Sequence, residues 1–379
     1  MKIGFVFDDS LDKSDGVQQY ITTLGRWLGA NGHEVHYLVG ETHRKDLAHM
    51  HSLGRNVAVN FNGNRVSIPH PVNRKYLRQL LNREQFDILH IQLPYSPMLG
   101  ARVINSAPKQ TAIVGTFHIV PFSSLERIAT RLLRLMIARS LRRIQVTLSV
   151  SLPAAKFAKT SLGLESTVVP NVVDVQLMKS GRKIKKFQDG KITVVFLGRL
   201  VERKGCLEFL KALEELHRQH HLENVRVLIC GKGQLEPKLQ AYVHKHHLGN
   251  IVHFTGYVSE THKADYLASA QVAVFPSLAG ESFGIVLIEA MAAGSEAILA
   301  GNNTGYRSVM AGQRQQLVDP QDIKSFSKSL LHFIRNSKAR QQAYKWQQSQ
   351  VGLYDVKEVG KAIVGQYQKA INLVNKTKV

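Results

Sequence analysis

From its first residues the chain alternates short, continuously apolar runs with longer stretches in which apolar positions recur every three or four residues. KIGFVF, HEVHYLV, FDILHIQ, TAIVGTF, VTLSVS and STVVP are β-rich, as strands buried in a parallel sheet are. Between them lie helical patterns such as VQQYITTLGRWLGANG, and this β-α-β rhythm predicts a parallel sheet covered on both faces. The rhythm breaks after Pro170 at SGRKIKKFQDGK (180–191), a polar and basic stretch that reads as a linker. It restarts with ITVVFLG, a helix over CLEFLKALEELHRQHH, VRVLIC, a helix near 235–247, IVHFTG, VAVFPS, a helix over 284–293 and AILA. The expected class is therefore α/β, with two doubly wound halves whose ligands bind beyond the carboxyl ends of the strands, in a cleft between them.

One stretch does not fit a purely structural pattern. ESFGIVLIEAMAAG, Glu281 to Gly294, would form a helix apolar all round and hence buried, yet it carries Glu289 inside and Glu281 at its start. A buried carboxylate needs a cation, several donors or a ligand beside it. Earlier, directly after ITVVFL, comes GRLVERKG: Gly198, Arg199, Lys204 and Gly205 precede a helix, whose N-terminus already favours an anion. The next strand ends in Gly231-Lys232-Gly233, which reads as a plain turn. Neither a Walker motif nor a G-x-G-x-x-G fingerprint occurs. In this reading Arg199 and Lys204 hold a diphosphate, while Glu281 and Glu289 meet sugar hydroxyls that satisfy their buried charge. Taken as helical, the eight positions from Glu281 to Glu289 span about 12 Å, the separation of a hexose and a ribose across a diphosphate.

The order R-x4-K, then E-x7-E within E-S-F-G-x-x-x-x-E-A-M-A-x-G, resembles the donor site of retaining glycosyltransferases of the two-domain GT-B type (family 4), over nearly the whole chain. Among them it is most similar to phosphatidylinositol mannosyltransferases. The resemblance implies two Rossmann-like domains, an acceptor domain at 1–175 with 350–379 packing back on it, and a donor domain at 176–349. It implies that Gly198, Arg199 and Lys204 bind the donor diphosphate. Glu281 would hold the transferred sugar, Glu289 the ribose, and Gly256, Tyr257 and Val258 would lie along the base, with Ser282, Phe283, Gly284 and Ile285 also in the donor-binding set. His118, after GTF, matches a family histidine near the transferred sugar, so the catalytic set is His118, Arg199, Lys204 and Glu281. Asp15-Gly16-Val17-Gln18 stands where the mannosyltransferases have Gly-Gly-Val-Gln, which assigns acceptor binding to Gly16 and Gln18.

Charge adds the acceptor. There are 50 Lys and Arg against 28 Asp and Glu, a net of +22, so the chain seeks a polyanion: nucleic acid, an anionic membrane or a phosphorylated small molecule. Arg74, Lys75, Arg78 and Arg83 alternate with Tyr76, Leu77, Leu80 and Leu81, and Arg127, Arg131, Arg134, Arg139, Arg142 and Arg143 share a helical face. Such helices suit an anionic bilayer, with the leucines adding burial at the headgroups. No recognised nucleic-acid module accompanies these runs, although a basic nucleic-acid-binding protein is the alternative from another class. The two cysteines, Cys206 and Cys230, show no zinc spacing, and the His220-His221 and His244/His246/His247 groups read as solvated surface. No signal peptide and no membrane span are expected. The resulting expectation is a cytoplasmic, peripheral, monomeric enzyme that moves mannose from GDP-mannose to a lipid such as phosphatidylinositol. It requires no cofactor; magnesium is admitted, without a metal motif to hold it. A UDP-sugar with another acceptor is the rival enzyme reading.

Overall fold

The computed structural model describes residues 1–12, 15–61, 64–69, 72–118 and 124–376, and within 57–69 and 124–132 the backbone alone. The chain divides into two compact units, Met1–Val172 with Val356–Val379, and Val173–Asp355.

The first unit runs β1 (Lys2–Phe7), α1 (Gly16–Ala30), β2 (Glu34–Val39), β3 (Met50–Ser52), β4 (Asn56–Phe61), β5 (Asn64–Pro69), α2 (Arg74–Glu84) and β6 (Ile88–Gln92). It continues with α3 (Leu99–Ser106), β7 (Ala112–Phe117), α4 (Ser124–Leu141), β8 (Val146–Ser149), α5 (Leu152–Phe157) and β9 (Thr167–Val168). Seven strands pair in parallel in the order β3-β2-β1-β6-β7-β8-β9, so connections depart in opposite senses from the β1–β6 junction. β4 and β5 form a separate antiparallel pair. Because the sheet is covered on both faces, Ile3, Phe5 and Phe7 of β1 fall in one apolar cluster and Val6 in another.

The second unit runs α6 (Val175–Lys179), β10 (Ile192–Leu197), α7 (Cys206–Arg218), β11 (Val225–Cys230), α8 (Glu236–Lys245), β12 (Val252–Gly256) and α9 (Glu260–Ala268). There follow β13 (Val272–Phe275), α10 (Ile285–Ala293), β14 (Ala297–Gly301), α11 (Thr304–Val309), β15 (Leu317–Val318), α12 (Ile323–Arg335) and α13 (Ser337–Gln350). Its six parallel strands are ordered β12-β11-β10-β13-β14-β15, which puts the reversal between β10 and β13. The chain then returns to the first unit as α14 (Val356–Lys376), whose buried Val359, Ile363, Tyr367 and Val374 join the β1 core. Tyr367 Oη lies 2.7 Å from His90 Nδ1.

The apolar pattern and the structure part in a few places. STVVP yields only Thr167–Val168, an exposed two-residue edge strand. β3 and β15 are too short to carry a period. The basic stretch 180–191 is part of the second unit and not a free linker. Arg182 N donates to Asp265 (2.7 Å), Ile184 N donates to Ser269 Oγ (2.9 Å), and Lys185–Phe187 form a 3-10 turn. The two bonds run from backbone amides to side chains 83 and 85 residues away, which local composition cannot reveal.

Candidate functional site

In the second unit the predicted residues gather beyond β10 and β13, at the strand-order reversal where doubly wound sheets bind ligands. The Glu281 carboxylate accepts hydrogen bonds from Lys204 Nζ (2.7 Å), Arg203 Nη1 (3.0 Å) and Ser277 Oγ (3.1 Å). The backbone forces these two loops together. Gly205 has φ +70°, and a Cβ there would lie 1.9 Å from the Pro276 carbonyl oxygen, so only glycine lets the lysine loop close on the glutamate loop. Gly284, at φ +108°, opens α10 in the same way, with the Tyr306 ring 2.5 Å from where a Cβ would be. In Gly231 and Gly233 the missing Cβ makes room for the carbonyls of Gly198 and Leu200, which bears out a packed turn.

The charge on this cluster is unbalanced. Burial, together with Arg203 and Arg199, pulls the Lys204 ammonium below the usual lysine range despite Glu281. Burial would raise Glu281, but Lys204 and Arg203, with their hydrogen bonds and that of Ser277, hold it below the usual carboxylate range. Three cations against one carboxylate leave a site that gains from binding an anion.

One turn into α10 the balance is reversed. Glu289 meets Lys263 of α9 at 2.5 Å, both are buried, and Lys263 also donates to Glu260 at 2.6 Å. Burial lowers an ammonium, yet Glu289 and Glu260 hold Lys263 above its ordinary value; burial raises Glu289, and Lys263 only partly offsets it. The expectation that sugar hydroxyls satisfy the two carboxylates is thus corrected: the protein supplies a cation to each. The 12 Å helical estimate is corrected too, because α10 starts at Ile285 and Glu281 lies in the preceding loop. Leu287 to Ala293 are buried, as an all-apolar helix requires.

The other donor-side residues separate by exposure. Tyr257 is 64% exposed after Gly256, which excludes core packing, and Val258 is half-buried. Ser282 and Ile285 are half-buried. Phe283 is buried edge-on against Tyr354, with ring centroids 5.8 Å apart, so its side chain packs the unit. Arg199 and Gly198 are half-buried at the end of β10.

In the first unit, His118 follows β7 and is buried, with Nε2 2.7 Å from Gln92 Oε1 at the end of β6. Tyr20 stands edge-on to it at 4.8 Å, which brings α1, opened by Gly16, to the same strand ends. Burial pushes the imidazole down to about 3, outweighing the hydrogen bond with Asn171. His118 is therefore neutral at physiological pH. Gln18 is buried and donates its amide to the Ser10 carbonyl at 3.2 Å, so it shapes the β1–α1 loop from within. Sequence reading missed Arg203, Ser277, Lys263 and Gln92. Arg203 was visible beside Lys204 and Ser277 lies four residues before Glu281, but Lys263 and Gln92 each have a partner 26 residues away along the chain.

The basic helices need a division. On α2, Leu77, Leu80 and Leu81 are buried in the core, so they cannot add burial at headgroups; Arg74, Lys75, Arg78 and Tyr76 (53%) are exposed. Arg83 pairs with Glu84 at 2.7 Å. On α4, Leu135 and Met136, each 77% exposed, adjoin exposed Arg134 and Arg139. Arg143, past the helix end, turns inward onto the carbonyls of Ile104 (2.6 Å) and Ala107 (2.9 Å). The side chains of Arg127 and Arg131 lie outside the described residues. Among the described residues no helix is long and apolar enough to cross a membrane.

Comparison with known proteins accounts for both units. Residues 14–177 match the profile described as Glycosyltransferase Family 4, and 179–349 that described as Glycosyl transferases group 1. The phosphatidyl-myo-inositol mannosyltransferase of Mycolicibacterium smegmatis is 31% identical over 373 residues, 97% of this chain and 94% of the relative. Among solved structures, the sucrose-phosphate synthase of Thermosynechococcus elongatus aligns with a TM-score of 0.75 at 17% identity, over 98% of this chain and 99% of that one. WaaG, a glycosyltransferase involved in lipopolysaccharide biosynthesis, gives 0.68 at 16% identity, over 98% and 99%.

Proposed function

The chain is a glycosyltransferase of family 4 with the GT-B fold, and on that footing we propose that it transfers mannose from GDP-mannose, with retention of configuration, to a phosphatidylinositol-type lipid at a membrane surface. The donor half of this reading rests on one observation: the cation-rich cluster of Arg199, Arg203 and Lys204 around Glu281. Breaking the glycosidic bond adds negative charge to the leaving diphosphate, and preorganised cations in a partly dry site stabilise that charge more than the ground state. These side chains neutralise the diphosphate without a required cofactor.

The three bonds to Glu281 all land on Oε1. A carboxylate offers about four acceptor sites over its two oxygens, so Oε2 has capacity for a hydroxyl of the transferred sugar. Glu289, in its acid-rich surroundings, accepts from the ribose, while Tyr257 and Val258 border the base. His118 acts near the transferred sugar as a neutral imidazole whose N–H is given to Gln92, and the Gly16 amide at the start of α1 faces the acceptor's phosphate. The lipid acceptor is supported by the name of the mycobacterial relative and by the exposed cations of α2. The enzyme works as a monomer at the inner face of the cell membrane.

A thermal-shift screen over GDP-, UDP- and ADP-sugars, followed by transfer to phosphatidylinositol vesicles, tests this. GDP-mannose should stabilise the fold by mass action and give an α-linked mannolipid by NMR. Stabilisation by a UDP-sugar alone overturns the donor, a β-linked first product overturns retention, and no lipid product overturns the acceptor.

A further inference from the structure

At the opposite end of the first sheet from His118, where β2 and β3 begin, four side chains that the transfer reaction does not use converge. His36, buried on β2, places Nε2 2.8 Å from Glu34 Oε1 and Nδ1 2.9 Å from His51 Nε2. The His49 ring lies parallel to that of His36, at 4.5 Å and 15°. One donor atom each from Glu34, His36 and His49 lies within 4.8 Å of the other two. We propose that Glu34, His36 and His49 bind one divalent transition-metal ion, with zinc the natural occupant and water completing the coordination.

Several features of the cluster fit that chemistry. Two imidazoles and a carboxylate are a common donor set for zinc, with bonds of about 2.0–2.2 Å, and three protein ligands leave one position open. Nitrogen donors disfavour calcium and magnesium, which prefer oxygen. A metal-bound imidazole usually fixes its tautomer by giving its other N–H to a neighbour. His51 Nε2 stands 2.9 Å from His36 Nδ1 to accept it, which leaves Nε2, the nitrogen facing Glu34, for the ion. Phe86 packs edge-on to His36 at 5.2 Å and holds the ring from behind. The competing cation has somewhere else to go: Lys2 Nζ is 3.1 Å from Glu34 but 2.8 Å from Glu84. Glu34 opens β2 and His49 immediately precedes β3, so a shared ion would fasten the edge strand β3 to the sheet.

The test uses the full chain without a histidine tag, stripped with a chelator and titrated with zinc chloride by calorimetry, with cobalt as a spectroscopic stand-in. The expected result is saturable binding of one ion, a raised melting temperature, and visible cobalt absorption of a four-coordinate site. His49→Ala and Glu34→Gln, changes at exposed positions, should each weaken binding by at least about tenfold, and His51→Ala, which removes only the orienting bond, by about tenfold. His220→Ala with His221→Ala, on a separate surface, should leave binding unchanged. Transfer activity should survive in all of these variants. Absence of saturable binding, or equal affinity in parent and His49→Ala, overturns the proposal, as does loss of binding in the His220/His221 variant alone.

Discussion

Replacing Lys204 with methionine removes one of three cations while keeping the length of the side chain. In the free protein Glu281 retains Arg203 at 3.0 Å and Ser277 at 3.1 Å, so the carboxylate is not stranded. The stability cost should therefore be that of one charge-assisted hydrogen bond, about 1.5–3 kcal/mol, below the 3–5 kcal/mol of a buried pair broken outright. In the transition state the missing ammonium faces a diphosphate that has gained charge. A lost contact of about 1.5–3 kcal/mol there corresponds to a fall in kcat of roughly 10- to 150-fold. Nucleoside diphosphate affinity should fall in parallel, because part of the contact exists before the bond breaks. Urea denaturation, diphosphate calorimetry and initial rates at saturating donor separate the three effects. The ordinary lysine value of 10.5 gives a further handle. Lys204 is held below it, so just below that pH the free site lacks part of a proton, and diphosphate binding should take protons up. A folded Lys204→Met variant that turns over within about threefold of the parent, with unchanged diphosphate affinity, would refute the assignment of the cation cluster.

His118→Asn should lose most transfer while keeping donor affinity, since the histidine belongs to the other unit from the cation cluster; unchanged turnover removes it from the reaction. The same variant tests the burial of the ring. His118 is lowered to about 3 from 6.5, so the folded state binds fewer protons than the unfolded one and stability is lost as pH falls through that window. At about pH 5 the loss for one such imidazole is about 2 kcal/mol, and the asparagine variant should show that much less sensitivity between about pH 7 and 5. Equal pH sensitivity in urea melts contradicts a neutral buried imidazole. Changing Arg74, Lys75 and Arg78 together to serine should weaken binding to anionic vesicles by about 1 kcal/mol per cation, roughly a hundredfold at low salt, with donor affinity unchanged. If the triple variant sediments with such vesicles as well as the parent, α2 is only a solvated face.

Much of the candidate donor site was legible because its parts are local. Lys204 and Gly205 sit in one loop and Glu281 to Gly284 in another, each after a strand that reads plainly as a buried apolar run. What could not be read was which groups those residues meet in the absence of a ligand. Gly205 reads as a helix start, and nothing nearby announces that the Pro276 carbonyl lies where a side chain would be. Glu289 announces that it needs a partner, but Lys263 becomes that partner only when α9 packs on α10.

The same limit explains the basic helix α2. An alternation of cations and leucines fits a membrane anchor and a core helix equally well, because helical periodicity defines a face without saying what covers it. Here Leu77, Leu80 and Leu81 face the core, which leaves attraction between Arg74, Lys75 and Arg78 and an anionic surface as the contribution of this helix. The exposed apolar side chains lie instead on α4, where Leu135 and Met136 stand in solvent beside Arg134 and Arg139. Leu135→Ser with Met136→Ser should therefore weaken vesicle binding even in high salt, whereas the α2 variant should matter only at low salt, since screening reaches exposed charges and leaves apolar burial intact. If both sets of changes respond to salt alike, α4 contributes through its arginines alone, and the two helices act as one electrostatic patch.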